Sequence, residues 1–147
     1  MAIDFGPPLP APTVSVAVGG SAGRLRAQGT LPSEYVSGIA FDVKSTGPNA
    51  RFATVLATRG FLGAGSGYDV EMPDLSGVLG WDSNWSIRAG DATNWWVSGG
   101  GPVLDFGDAR FVFNTTRRMW TGAQTGIVAP ADGAVYRMAR ASGTITP

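Results

Sequence analysis

The side chains best suited to recognising a ligand are tryptophans: Trp81, Trp85, Trp95 and Trp96 lie within 16 residues, and Trp120 follows. An indole ring joins a large apolar face to a polar N–H, so it serves either as core or as a platform for a flat ligand. Asn84-Trp85-Ser86-Ile87-Arg88-Ala89-Gly90 is echoed ten residues later by Asn94-Trp95-Trp96-Val97-Ser98-Gly99-Gly100. Alternate residues of a strand share a face, so the echo predicts a hairpin turning through Gly90-Asp91-Ala92, with Trp85/Ile87 and Trp95/Val97 as matched apolar pairs. Trp96 then faces the opposite way. In one reading it stacks on a surface glycan, with Asp82, Asn84, Asp91 or Asn94 supplying hydrogen bonds. The weightier reading places Trp96 under a second sheet or in a subunit interface, because aromatics concentrate in cores and interfaces.

Three acids, Asp69, Glu71 and Asp74, follow the glycine-rich stretch Gly60-Phe61-Leu62-Gly63-Ala64-Gly65-Ser66-Gly67. Oxygen ligands at this spacing suit a hard cation. Asp69 and Glu71 share one strand face, however, and the segment lacks the carboxylate ladder of an EF-hand loop, so solvated charges are the favoured reading. The glycine-rich stretch has no following Gly-Lys-(Ser/Thr), which removes phosphate cradling. Arg117-Arg118, beside Met119 and Trp120, suits an acidic partner or phosphate, but alternation points the two guanidinium groups to opposite faces. Asp105-Phe106-Gly107 matches a kinase metal triplet without any of its companion motifs. A glycosidase needs only two carboxylates, and nothing marks out one pair among the 11 acids.

Absences narrow the chemistry further. The chain has no Cys and no His, which excludes thiol nucleophiles, imidazole or thiolate metal sites, haem ligation and any Ser-His-Asp triad. No cofactor is expected, and the protein is read as non-enzymatic. Eleven basic residues balance 11 acidic ones, so the electrostatic footprint of a nucleic-acid or anionic-membrane binder is missing. No apolar run is long enough to span a membrane. The first 20 residues lack the basic start and apolar centre of a signal peptide, so synthesis in a cytoplasm is expected.

Charged residues make up only 15% of the chain, below the usual share of about a quarter. Ten of the 11 basic residues are Arg, Lys44 is the one Lys, and Glu34 and Glu71 are the only Glu, so the material of exposed helix surfaces is scarce. From Thr13 onward, β-branched and aromatic runs alternate with Gly, Pro, Asn and Asp punctuation. Strands are predicted over 13–18, 24–28, 38–44, 52–58, 68–71, 85–88, 95–98, 103–106, 110–114, 117–121, 135–139 and 143–146, with a turn of helix only at 32–37. The fold expected is all-β, an antiparallel two-sheet sandwich or jelly-roll-like domain, with a small β-barrel as the alternative.

Residues 1–12 stand apart from this single all-β domain at 13–147. Pro7, Pro8, Pro10 and Pro12 favour an extended arm, which carries Ile3, Phe5 and Leu9 with no local way to bury them. An arm of Ile3, Phe5, Pro7, Pro8, Leu9 and Pro10 is expected to lie on a neighbouring subunit, with Trp96, Trp120, Arg117 and Arg118 as further ligand or interface residues. The functional expectation is a structural subunit of a large, homo-oligomeric assembly, most economically a tailed-phage virion protein such as a capsid decoration, head-fibre or tail component. The alternative is a carbohydrate-binding module or lectin using exposed Trp.

Overall fold

The computed structural model describes residues 2–4, 7–17, 23–35, 38–47, 50–101, 110–114, 119–123 and 135–147; for strand residues within 2–4 and 101–138 only the backbone is described. Among the described residues ten strands occur in chain order: β1 (Ala2–Asp4), β2 (Thr13–Val16), β3 (Leu25–Thr30), β4 (Gly38–Ser45), β5 (Phe52–Thr58), β6 (Gly67–Glu71), β7 (Thr93–Gly101), β8 (Arg110–Asn114), β9 (Met119–Ala123) and β10 (Val135–Ile145). Helix among the described residues is confined to α1 (Arg59–Leu62) and a 3₁₀ turn at Ser83–Trp85. The protein is therefore all-β. One sheet has the order β1-β10-β7-β4-β5 and another β2-β3-β6, while β8 and β9 pair as a hairpin. Among the described residues all pairings are antiparallel except that of β1 with β10. Both sheets are open rather than closed into a barrel.

Period-two burial explains why these segments are strands. In β4, Ile39, Phe41 and Val43 are buried while Asp42 and Lys44 point away. In β3, Leu25 and Ala27 alternate with Arg26 and Gln28, and in β6 Tyr68 and Val70 alternate with Asp69 and Glu71. The buried residues of both sheets form one hydrophobic cluster, which also takes in Leu31, Tyr35, Ile87 and Val97. Register enforces the same division across strands. Phe41 lies opposite Val97 and Val55 on the buried side, whereas Asp42 lies opposite Trp96 and Thr54 on the outer side. A one-residue slip would exchange the two sets, so the core fixes the pairing.

Two aromatic rings are seated on glycines directly across a strand pair. Trp95 opposes Gly143 in β10, and Tyr68 opposes Gly29 in β3. A Cβ at either glycine would run into the facing ring, so the missing side chain is what allows the ring to lie flat on the sheet. Gly99 plays a related part. Leu9, Leu31 and Tyr35 pack where its Cβ would be, the nearest atoms lying 3.0–3.3 Å from that point.

This packing bears on the N-terminal segment. Leu9 is 8% exposed and belongs to the hydrophobic cluster, and Tyr35 donates its hydroxyl hydrogen bond to the Pro7 carbonyl. Pro7, Pro8 and Pro10 are exposed, and the backbone of Ala2–Asp4 runs beside Val135–Arg137. Leu9, read from sequence as an anchor for a neighbour, thus finds its cover within its own chain. Phe5 lies outside the described residues.

Several element assignments change. Residues 85–88 are not a strand: Trp85 closes the 3₁₀ turn and only Ile87 beyond it is buried, so the expected hairpin of the two Asn-Trp segments does not form. β7 pairs instead with β4 and β10. The two predicted final strands are one continuous β10, because Gly143 supports Trp95 rather than interrupting the ladder. The turn of helix expected near 32–37 is a β-turn closed by Tyr35 N–H to the Pro32 carbonyl, and a helical turn appears instead at α1, where Thr58 Oγ1 accepts from Phe61 N–H. The strand predicted at 103–106 lies outside the described residues.

Two expectations follow. Phe41→Ala should cost about 3–5 kcal/mol in urea unfolding, whereas Phe61→Ala, at a side chain 78% exposed, should fall within about 0.5 kcal/mol of wild type. The Tyr68 hydroxyl is buried with no hydrogen-bond partner among the described residues, and burial pushes its pKa up to about 12. A raised phenol pKa leaves stability intact below the ordinary value near 10 and erodes it as pH climbs toward 12. Tyr68→Phe should therefore preserve or raise the melting temperature at neutral pH and lessen the alkaline loss, both read by thermal melts across pH.

Candidate functional site

The acidic set resolves into ion pairs on the outer face of β3 and β6. Arg26 opposes Glu71, and Gln28 opposes Asp69, in the ladder. Arg26 Nε donates to Asp69 Oδ1 at 2.6 Å while its Nη2 bonds Oδ2, and Gln28 Nε2 donates to Oδ2 at 2.9 Å. Arg24 bridges the other two acids through Glu71 Oε1 and Asp74 Oδ2, the latter at 3.2 Å. The hydrogen bond from Arg26 lowers the Asp69 pKa, and the Ser76 N–H, assisted by Arg24, lowers that of Asp74. Each of the three carboxylates is thus occupied by a guanidinium, and no cluster of three or more potential metal ligands exists among the described residues.

Trp96 sits on the outer face of the five-stranded sheet. Its row in the ladder runs Ser142, Trp96, Asp42, Thr54, from β10 to the edge strand β5. Thr54 Oγ1 donates to Asp42 Oδ1 at 2.7 Å, and in neighbouring rows Arg140 Nε donates to Ser98 Oγ and Thr144 Oγ1 to Asn94 Oδ1. The Arg140 guanidinium lies over the Trp96 ring, 6.0 Å from its centroid, and is 3.9 Å from Asp42 Oδ2. The ring is half-buried and one face already carries a cation, which is a structural arrangement more than an open platform.

A cleft of about 300 Å³ lies at the free edge of β5, between that strand and the long connection from β6 to β7. Ala53, Thr54 and Val55 form one wall. Met72, Asp74, Trp81, Ser83 and Trp85 line the other, together with Arg24, the residue before β3. Trp81 and Trp85 meet edge to face, their centroids 5.4 Å apart and their planes at 88°. Trp85 is 59% exposed and Trp81 partly so.

The connection holds this shape through a chain of short turns rather than through a ladder. Asp74 Oδ1 accepts from Ser76 N–H at 3.0 Å and Asp82 Oδ1 from Asn84 N–H at 2.8 Å, each side chain closing its own local turn. Backbone bonds from Val78 to Leu75, Trp81 to Val78 and Trp85 to Asp82 continue the series. The connection is tied down by Met72 N–H to the Leu25 carbonyl, Gly23 N–H to Ile87 and Gly90 N–H to Pro147. Ile87, 3% exposed, plugs it into the core, and Arg51 Nε bonds the Asn84 carbonyl. A long strandless connection fastened at so many points is a built surface, of the kind that commonly carries function.

Of the residues singled out from sequence, Trp96 and Leu9 are placed as described, Ile3 lies in β1, and Trp120 lies in β9 opposite Phe113. Arg117 and Arg118 lie outside the described residues. Sequence reasoning missed Arg24, Asp42 and Arg140. Alternation marks Asp42 as outward once Phe41 and Val43 are read as core, but the pairing of Arg24 with distant acids has no local signal. Comparison with protein-family models, curated proteins and solved structures finds no match for this chain.

Because the Asp69 and Asp74 pKa values are lowered by folding, their stabilisation is present above the ordinary carboxylate range and is lost as pH falls through it. Asp69→Asn should make the acid limb of a stability-against-pH curve shallower. The effect should shrink in high salt, since the pair is exposed.

Proposed function

We propose that this chain is a non-enzymatic β-sandwich subunit of a larger assembly, working through subunit contacts. The observation that carries the reading is a set of large apolar side chains left in solvent, Val16, Phe52, Phe61, Val78 and Leu79, with Leu79 wholly exposed. Val78 and Leu79 belong to the connection from β6 to β7, and Phe52 starts the edge strand β5. Single exposed apolar residues are ordinary, but several on one strapped connection suit an interface. A chain with no net charge and 15% charged residues keeps little repulsion to hold copies apart. The sandwich arrangement rests on the shared hydrophobic cluster of the two open sheets. A virion component, built in a host cytoplasm and packed against copies of itself, is the assembly this combination suits best. The segment carrying Ile3, Pro7, Pro8 and Pro10 adds backbone and proline surface for such contacts.

Light scattering on the intact chain should give a mass that is a multiple of 15.2 kDa. The double variant Phe61→Ser, Leu79→Ser should lower that mass while leaving the far-ultraviolet spectrum unchanged. A strict monomer at every concentration would overturn the assembly reading.

A further inference from the structure

We propose that the cleft between β5 and the Trp81/Trp85 connection is a binding site for a neutral saccharide. A pyranose ring presents an apolar C–H face on one side and a fringe of hydroxyls, each both donor and acceptor, around its rim. A site for it needs an aromatic face that is open, planar polar groups spaced to take adjacent hydroxyls, and no free cation that would favour an anionic ligand. The cleft offers all three.

The open aromatic face is Trp85. Perpendicular packing against Trp81 leaves the two rings as a corner, in which Trp81 props Trp85 and fixes its tilt. An exposed indole held by a second ring has already lost the freedom that stacking would otherwise remove, so little is spent on ordering it. A core role does not account for Trp85, which is 59% exposed and absent from the hydrophobic cluster.

The planar polar pair is Asp74 with Arg24. One Asp74 oxygen is held by the Ser76 N–H and the other by Arg24 Nη1 at 3.2 Å, which fixes the carboxylate while leaving each oxygen a further lone pair. One sugar hydroxyl can donate to Asp74 while its neighbour accepts from the adjoining guanidinium, the two-point contact that vicinal hydroxyls allow. Ser83 and Ser86 add hydroxyls around the same space. Charge selects the class of ligand. Arg24 stands between Glu71 and Asp74, so no free positive charge remains to attract a sulfated, phosphorylated or carboxylated sugar.

The cleft is also prearranged. Its volume of about 300 Å³ falls at the small end of ligand sites, which suits one or two sugar rings rather than a long chain lying lengthwise. This site is separate from Trp96, whose ring carries Arg140 instead. It is also independent of whether the chain assembles, since the corner of rings and the Arg24 bridge are made within one copy.

The test is titration of the intact chain with soluble neutral oligosaccharides of glucan, mannan, galactan, xylan and chitin type, and with sialylated and sulfated oligosaccharides. Tryptophan fluorescence and calorimetry supply the readouts. At least one neutral series should bind, and Trp85→Ala should weaken it about tenfold or more with an unchanged melting temperature, because Trp85 is exposed. Trp85→Phe should recover part of the affinity, Asp74→Asn should weaken binding, and Trp96→Phe should not. Absence of binding to every neutral series would overturn the proposal. So would binding confined to the anionic sugars, or binding that survives Trp85→Ala.

Discussion

The structure depends on one constraint: the inner face of β4, at the middle of the described core, must be covered by a second layer. Ile39, Phe41 and Val43 are almost wholly removed from solvent, and Leu25, Ala27, Tyr68 and Val70 of the other sheet share their cluster. Burial of this kind contributes about 1.5–3 kcal/mol for each large side chain, and it is available in only one register. Once Phe41 is inside, Asp42 is outside, and with it Trp96, Thr54 and Ser142 in the same row. The polar surface of the sheet is thus placed by the apolar one. Cross-strand pairs on that surface, Thr54 with Asp42, Thr144 with Asn94 and Arg140 with Ser98, reinforce a register set elsewhere.

Glycine supplies the second organising device. A chain with 22 glycines invites the reading that they punctuate strands. Three of them act within strands instead. Gly29 and Gly143 take the rings of Tyr68 and Trp95 across a strand pair, and Gly99 leaves a flat place in β7 where Leu9, Leu31 and Tyr35 meet. Tyr35 is the joint between the core and the N-terminal segment, since its ring packs on Gly99 and its hydroxyl bonds the Pro7 carbonyl. Leu9 can reach the core because prolines keep its flanks extended and out of any competing ladder.

Much of this was legible in the sequence where periodicity and burial agree. Phe52–Thr58 and Arg110–Asn114 are strands with the boundaries that their β-branched and aromatic runs indicate. The misreadings arise where one local pattern satisfies two structures. Trp85-Ser86-Ile87 alternates like a strand, but Asp82 closes a turn on Asn84 and Ile87 alone drops into the core, so local side-chain bonds prevail over the period-two pattern. Gly143 looks like a breaker because nothing nearby shows that Trp95 will cover it. The candidate cleft was the least legible part. Arg24 and Asp74 are far apart in the chain, and Trp81 and Trp85 belonged to a cluster whose core members and exposed members have the same composition.

The connection from β6 to β7 has a role beyond forming one wall of that cleft. β5 is the last strand of its sheet, and an unpaired strand edge is a template on which another chain can add itself without limit. Along Ala53, Thr54 and Val55 the strapped connection faces that edge across the cleft, and the turns at Asp74 and Asp82 hold it there. Loosening it would uncover a raw β-edge next to Phe52 and Trp85, so the turns that shape the cleft also stand between that edge and another chain.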